Sequence, residues 1–193
     1  SSISSLPSLA DQPENTVWAE PEDPKYLLPP PEPKDADFSV LKQCKTFASE
    51  LGYRLQANGK KTECLALKKL DEPLNGVVTL RTKIRAVLNS KGLLRNGYLA
   101  FGNSDKEAEL IKCGVRLQPQ RAAIIQGAFS SGEKKAVGAT VKAPEKKGMD
   151  ALVTVDLDAQ TVTLLANGVT IEAKLAVPLK QITYVGYFME SAL

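Results

Sequence analysis

Three basic side chains alternate within one stretch of this chain and form its sharpest chemical pattern. Arg81, Lys83 and Arg85 are each separated by a single residue in the run VVTLRTKIRAVL, which begins at Val77. On a β-strand, alternate residues share a face about 6–7 Å apart, a spacing that suits successive anionic groups of a polymer. Arginine's planar fork also binds sulfate and carboxylate well. The pattern predicts a binding stripe for an anionic ligand, and the alternative is a solvated face with acidic cross-strand partners.

Aromatic side chains are the second kind of candidate, because sugar rings stack on them. The candidate stacking residues are Tyr98, Phe101, Tyr184 and Tyr187. Core packing is the competing interpretation, since aromatic residues in strands usually pack inside the fold. Tyr98 and Phe101 are three residues apart and should point to opposite faces, so at most one of them faces a ligand. We retain Tyr98 as a ligand-binding candidate.

Catalytic and metal-binding groups are scarce. Histidine is absent, which removes the commonest general base and every Ser-His or Cys-His nucleophile. Asp156 and Asp158 form the one carboxylate pair that the pattern brings to a strand end, and paired carboxylates are what a glycosidase needs. A turn-forming role is the favoured interpretation of both. We therefore expect no catalytic centre, no metal and no cofactor.

Charge is unevenly distributed along the chain. Residues 1–37 carry two lysines and eight acidic residues, a net charge of −6, whereas residues 38–193 carry 23 Lys and Arg against 14 Asp and Glu, a net charge of +9. A basic domain attracts polyanions, although the same charge can serve solubility alone. Nucleic acid is not expected, because few aromatic residues are interleaved with the basic ones.

The cysteines and the apolar runs limit which disulfides, metal sites and membrane spans the sequence can form. Cys44, Cys64 and Cys113 show no metal-binding spacing, and they fit either one disulfide with one buried thiol or three buried thiols. No run of eighteen apolar residues exists, so no membrane span is expected.

The segment from Ala151 to Leu175 is the strongest indicator of fold class. Apolar and polar residues alternate through it, and turn signals at 158–160 and at Asn167-Gly168 divide it into a three-stranded antiparallel meander. Short strands separated by turns continue along the chain, including a strand from Val77 to Leu88. We predict an all-β antiparallel sandwich or jelly roll of about ten to twelve strands over residues 38–193. Residues 1–37, which hold eight of the twelve prolines, are predicted to be a linker or arm.

Several of these strands carry a family resemblance. The chain resembles the concanavalin A-like lectin/glucanase superfamily, and within it the laminin-G-like domains called DUF1080, or 3-keto-disaccharide hydrolase domains, of bacterial secreted proteins. The likeness rests on Val153–Leu157, Val162, Asn167-Gly168, Ile182–Tyr187, Asn96–Phe101 and Gly114–Gln118. The glutamate that the family has in the last of these strands is missing, and Arg116 stands nearby. Arg116 therefore joins the ligand-binding candidates.

The resemblance implies a carbohydrate ligand. We expect a non-catalytic carbohydrate-binding or accessory module of a larger secreted or periplasmic bacterial protein that processes glycans, in some cases a sulfatase. Its partners would be a sulfated or acidic polysaccharide and other domains of the parent protein. Two alternatives stay open: a DUF1080-type glycoside hydrolase that uses carboxylates, and a structural or protein-interaction domain. Two carboxylates sharing one cleft would favour the hydrolase.

Overall fold

The computed structural model describes residues 38–49, 52–57, 63–84, 95–117, 120–132, 135–142 and 149–191. The strands in these ranges are β1 (Val40–Lys42), β2 (Cys44–Ser49), β3 (Gly52–Ala57), β4 (Glu63–Leu74), β5 (Val77–Ile84), β6 (Arg95–Gly102), β7 (Ile111–Leu117), β8 (Gln120–Gln126), β9 (Val137–Thr140), β10 (Met149–Asp156), β11 (Thr161–Ala166), β12 (Val169–Lys174) and β13 (Ile182–Ser191). A 3₁₀ turn (Glu107–Glu109) and a short helix α1 (Phe129–Gly132) interrupt them. In the described residues, no helix has the length and apolar character needed to cross a membrane.

Two antiparallel sheets pack face to face. The larger sheet has the strand order β1-β4-β13-β6-β7-β8-β9, and the smaller sheet has the order β12-β11-β10-β5. Strands β2 and β3 form a separate hairpin. The predicted class, an all-β antiparallel sandwich of the jelly-roll type, is confirmed. The predicted arm, residues 1–37, lies outside the described residues, so its boundary with the domain stays a prediction.

The predicted meander is β10, β11 and β12, paired in sequence order. Asn167 and Gly168 connect the last two strands with φ of 46° and 83°, the left-handed conformations that a two-residue hairpin turn requires. The residues predicted to share a buried face, among them Val153, Val155 and Val162, are fully buried between the sheets. Local alternation and turn chemistry were therefore sufficient to fix this part of the fold.

The main core lies between the two sheets. Leu80 and Val153 from the smaller sheet pack against Leu99 and Val185 from the larger sheet, all without exposed surface. One hydrogen bond crosses this core, 2.8 Å between the Thr82 hydroxyl and the Tyr187 hydroxyl. This bond satisfies polar groups on the inner faces of both sheets and helps to fix how one sheet lies on the other.

A second apolar layer covers part of the outer face of the larger sheet, which is the face turned away from the smaller sheet. It includes Leu110 and Phe129, which pack onto side chains of the sheet. Phe129 begins α1, and Leu110 follows the 3₁₀ turn, so these two connections form a cap on the sheet. The cap thus buries part of the outer face and borders the rest of it.

The β2–β3 hairpin is fastened to the larger sheet by a disulfide. Cys44 on β2 is bonded to Cys64 on β4, with 5.0 Å between their Cα atoms, and Ala66 and Met189 pack around the bridge. Cys113 is a buried free thiol. Of the two cysteine arrangements that the sequence left open, the structure has the one with a single disulfide and a single buried thiol.

Two strands, β1 and β2, open the described part of the chain and are separated at Gln43 with φ of 60°. The strand predicted from Val77 to Leu88 is described only to Ile84, and residues 85–88 lie outside the described residues.

Candidate functional site

The predicted basic stripe lies on the outer face of the smaller sheet. Arg81 and Lys83 are exposed there, whereas Arg85 lies outside the described residues. Asp150 is directly opposite Lys83 on β10, and its carboxylate lies 4.0 Å from the Lys83 ammonium. Both side chains are exposed, so this ion pair contributes less than about 1 kcal/mol. For Lys83, the structure favours the solvated face with an acidic cross-strand partner.

The outer face of the smaller sheet is not basic over its described residues. Its charged side chains are three basic ones, Arg81, Lys83 and Lys174, and three acidic ones, Asp150, Asp156 and Glu172. Arg81 lies beside an open pocket of about 340 Å³ that Leu152, Leu165 and Asn167 also line. Binding of an anionic ligand by Arg81, Lys83 and Arg85 stays a prediction, on a face where the register places Asp150 opposite Lys83.

Tyr98 does not provide a surface for a sugar. Its ring is 1% exposed and lies 5.8 Å from the ring of Phe129 and 6.1 Å from that of Phe188. Phe101 is buried between the sheets, on the opposite face as predicted. The core interpretation holds for both residues, because the cap formed by α1 and the 3₁₀ turn covers the part of the outer face that carries Tyr98.

Asp156 has the turn-forming role that the sequence favoured. Its Oδ1 accepts hydrogen bonds from the backbone N–H groups of Asp158 at 3.0 Å and Ala159 at 2.9 Å. This geometry closes the turn between β10 and β11 and engages the carboxylate with the backbone.

Arg116 lies on the outer face of the larger sheet, opposite Arg121 on the neighbouring strand β8. The same face carries Asn96 on β6, Glu190 on β13 and Glu63 on β4. Glu190 is opposite both Asn96 and Glu63 in the strand register. Continuing the β6–β7 register one residue past the pair Gly97 and Val115 brings Asn96 opposite Arg116. The result is a line of polar side chains across five strands, which we call the polar row: Glu63, Glu190, Asn96, Arg116 and Arg121.

The acidic end of the polar row is organised by a hydrogen bond. The Asn96 side-chain amide donates to Oε2 of Glu190 at 2.7 Å, and Asn96 is only 2% exposed. This hydrogen bond holds the Glu190 carboxyl group in position as an acceptor.

Glu63 differs from Glu190 in its electrostatic surroundings. Burial raises the pKa of the Glu63 carboxyl above its ordinary value, and the Glu107 and Glu190 carboxylates raise it further, while the Lys112 ammonium opposes them. Residues directly opposite on antiparallel strands have Cβ atoms about 4.5–5.5 Å apart, and like charges at this separation destabilise a sheet. The pair therefore places the Glu63 carboxyl group, whose pKa is raised, directly opposite a second carboxyl group that the Asn96 amide holds in position.

Lys112 supports the cap from beneath. Its ammonium is fully buried and donates to the backbone carbonyls of Glu107 at 2.8 Å and Gly127 at 2.7 Å. The Glu107 carboxylate lies 2.7 Å from the same ammonium and accepts the N–H of Phe129 at 2.7 Å. One buried cation thus joins the 3₁₀ turn to the start of α1 and holds the cap in place next to the polar row.

The polar row combines acceptors and donors suited to a hydroxyl-rich or anionic ligand. Carboxylate oxygens accept and guanidinium groups donate, whereas the buried Asn96 amide donates to Glu190 within the row. Among the described residues, no group of three or more His, Cys, Asp or Glu side chains could hold a metal ion.

Sequence reasoning identified one member of the polar row, Arg116, and missed Glu63, Glu190, Asn96 and Arg121. On each strand these residues alternate with apolar residues, and this alternation can be recognised in the sequence. It predicts the face of the sheet on which each residue lies. The strand order was not readable, because β13 pairs between β4 and β6 from the opposite end of the chain.

Comparisons with known proteins give few relatives. No family model matches the chain, and no curated protein matches it. A solved structure similar to it is the carbohydrate recognition domain of Emp47p, with 12% sequence identity, a TM-score of 0.48, and coverage of 100% of this chain and 88% of that one.

Proposed function

We propose that this chain is a carbohydrate-binding module and that the polar row on the larger sheet is its sugar site. The observation that carries the proposal is the hydrogen bond between Asn96 and Glu190, which presents a fixed acceptor beside the half-buried Glu63. Sugar hydroxyls donate as well as accept, so they pair well with an ordered carboxylate, and the buried Asn96 amide keeps the Glu190 carboxylate in order. The sequence resemblance to the concanavalin A-like superfamily points to the same class of ligand.

The proposed setting is a larger secreted or periplasmic bacterial protein that processes glycans, such as a sulfatase, and whose other domains are the module's partners. The disulfide between Cys44 and Cys64 supports this setting, because disulfides persist in oxidising compartments. The net charge of +9 on residues 38–193 supports an acidic or sulfated polysaccharide as the ligand.

Binding to a glycan array tests the proposal, followed by calorimetric titration of the best oligosaccharide. We expect Asn96→Ala and Glu190→Gln each to weaken binding about tenfold or more, because a hydrogen bond to a charged group contributes about 1.5–3 kcal/mol. Glu172→Gln is the matched control, since this exposed glutamate lies on the smaller sheet. A chain that binds no glycan, or variants that all bind like the parent, would instead favour the structural or protein-interaction alternative.

One observation favours a second function, glycoside hydrolysis. Glu63 and Glu190 are directly opposite on neighbouring strands, so two carboxyl groups share one face, the feature that separates a hydrolase from a binding module. With its raised pKa, Glu63 would protonate the leaving glycosidic oxygen. Glu190 would activate a water that attacks the anomeric carbon, or would attack it directly. In the first route the glycosidic C–O bond breaks as Glu63 gives its proton to the leaving oxygen, the water oxygen bonds to the anomeric carbon, and the water proton passes to Glu190. In the second route the sugar is first bonded to Glu190, and water then cleaves this ester and returns a proton to Glu63.

Release of reducing ends from the oligosaccharide that binds best distinguishes the two functions. Turnover that Glu63→Gln abolishes, with binding retained, would establish the hydrolase. Asp156→Asn is the control, because Asp156 serves a turn on the other sheet. Binding without turnover is the outcome expected of the module.

A further inference from the structure

We propose that the sugar site on the polar row is regulated by pH, and that Glu63 is the group whose protonation strengthens binding. This inference rests on the proposed function, because it concerns the regulation of the same site. It describes a module that binds glycans more tightly in mildly acidic surroundings than at neutral pH. The change is largest for glycans that carry anionic substituents.

Glu63 lies beside a second carboxyl group that is held in position. Glu63 on β4 and Glu190 on β13 are direct cross-strand partners, and Glu63 is half-buried. Direct partners on antiparallel strands have Cβ atoms about 4.5–5.5 Å apart, a separation at which like charges destabilise a sheet. The Asn96 amide donates to Oε2 of Glu190 at 2.7 Å and keeps that carboxyl group in the polar row. The register thus makes a negative charge on Glu63 unfavourable.

The cap adds one acid and one cation to the surroundings of Glu63. The Glu107 carboxylate lies 2.7 Å from the Lys112 ammonium, which also donates to the backbone carbonyls of Glu107 and Gly127. The charge of Glu107 adds to that of Glu190 at the Glu63 carboxyl group. Because three acceptors already engage the Lys112 ammonium, this cation offsets only part of the repulsion.

Charged groups on the other neighbouring elements do not neutralise Glu63. Lys42 on β1 is exposed, and its ammonium donates to the backbone carbonyl of Asp105 at 2.7 Å. Lys45 belongs to the β2–β3 hairpin, which is joined through Cys64 to the opposite face of β4. Within the ranges that the structure describes, no Lys or Arg side chain forms an ion pair with Glu63.

These surroundings favour the protonated form of Glu63. Burial has the largest effect and raises the pKa of its carboxyl group, Glu107 and Glu190 raise this pKa further, and Lys112 lowers it. A neutral carboxyl group donates a hydrogen bond as well as accepting one, which suits a sugar hydroxyl. Protonation also removes a negative charge that repels a sulfate or carboxylate substituent. Both effects strengthen binding as the pH falls, and the second applies only to acidic glycans.

Calorimetric titration of the full chain between about pH 7.5 and about pH 5 tests this inference. The probes are a carrageenan oligosaccharide, whose sulfates stay ionised over this range, and a neutral galactan oligosaccharide. Because the chain has no histidine, carboxyl groups are the side chains expected to titrate there. The parent should bind the carrageenan probe at least about fivefold more tightly at the acidic end. By linkage, this probe should raise the pKa of Glu63, measured by NMR, by the logarithm of the same factor.

Two variants assign the effect to Glu63. Glu63→Gln should bind the carrageenan probe at neutral pH as tightly as the parent does in acid, with no further change with pH. Glu172→Gln alters an exposed glutamate on the smaller sheet and should keep the pH dependence of the parent.

The inference is overturned if the affinity of the parent does not change with pH, or if Glu63→Gln keeps the change. In both cases the sugar site itself stands. Absence of binding by both probes at every pH would also overturn the regulation, and the glycan array would then decide the proposed function separately.

Discussion

The Lys112 ammonium and the Glu107 carboxylate lie 2.7 Å apart beneath the cap on the larger sheet. Lys112 is fully buried, whereas Glu107 keeps about a quarter of its side-chain exposure. Burial lowers the pKa of the Lys112 ammonium, and the hydrogen bond and charge of Glu107 oppose this effect. The buried charge of Lys112 is thus stabilised by a partner that is partly exposed to solvent. The ion pair holds the cap beside the polar row in place.

Removing this cation should destabilise the fold. Lys112→Met keeps an apolar stem but removes the cation beside the Glu107 carboxylate and the donor to the carbonyl of Gly127. Breaking one partner of a buried pair costs about 3–5 kcal/mol, and the partial exposure of Glu107 places the expected loss near about 3 kcal/mol. Urea unfolding measures it. The double variant with Glu107→Gln should recover part of the loss, and a single variant as stable as the parent would contradict this role.

Glu63 should make the protein less stable as the pH rises above the ordinary carboxyl pKa. Its pKa is raised in the folded state above its ordinary value of 4.5, so the folded chain binds more protons than the unfolded chain between the two pKa values, and stability falls across that window. The Glu63→Gln variant should therefore be more stable than the parent near neutral pH. Below pH 4.5 the variant and the parent should be equally stable. Urea unfolding at both pH values measures the change, and Glu172→Gln serves as control. A gain that persists at acid pH would contradict the electrostatic cause.

Reduction of the disulfide should destabilise the domain and leave the sheets able to form. Cys44 and Cys64 are separated by 20 positions in sequence, and closing a loop of this length stabilises a fold by about 3 kcal/mol in the chain-entropy account. Thermal unfolding with and without reductant measures it. The double variant Cys44→Ser with Cys64→Ser should lose its response to reductant. The remaining thiol should not react in the folded state, because burial raises the pKa of Cys113.

Asp156→Ala should lower stability by about 1 kcal/mol, because the backbone N–H groups of Asp158 and Ala159 lose their acceptor. Glycan binding should be unchanged, since the turn lies on the smaller sheet. Unfolding and titration of the same sample check both halves. A loss of binding with normal stability would instead assign Asp156 a functional role.

Sequence pattern predicted some elements of this protein and could not predict others. The meander was readable because each of its signals is local: alternation assigns a face, and Asn167-Gly168 adopts the left-handed pair that a tight hairpin requires. The aromatic pair Tyr98 and Phe101 was placed on opposite faces by the same rule. The rule could not show that the cap buries Tyr98, because Phe129 arrives there from a distant part of the chain.

The site separates the two kinds of information most clearly. The sequence by itself determined that the domain is all-β, that it has a basic excess, and that any chemistry must proceed without histidine. Only the tertiary structure decided which charges meet: it placed Asp150 opposite Lys83, and it placed Glu190 between Glu63 and Asn96. Side-chain alternation is a property of each strand alone, whereas the order and register of strands depend on packing between distant segments. For that reason the faces were predictable and the polar row was not.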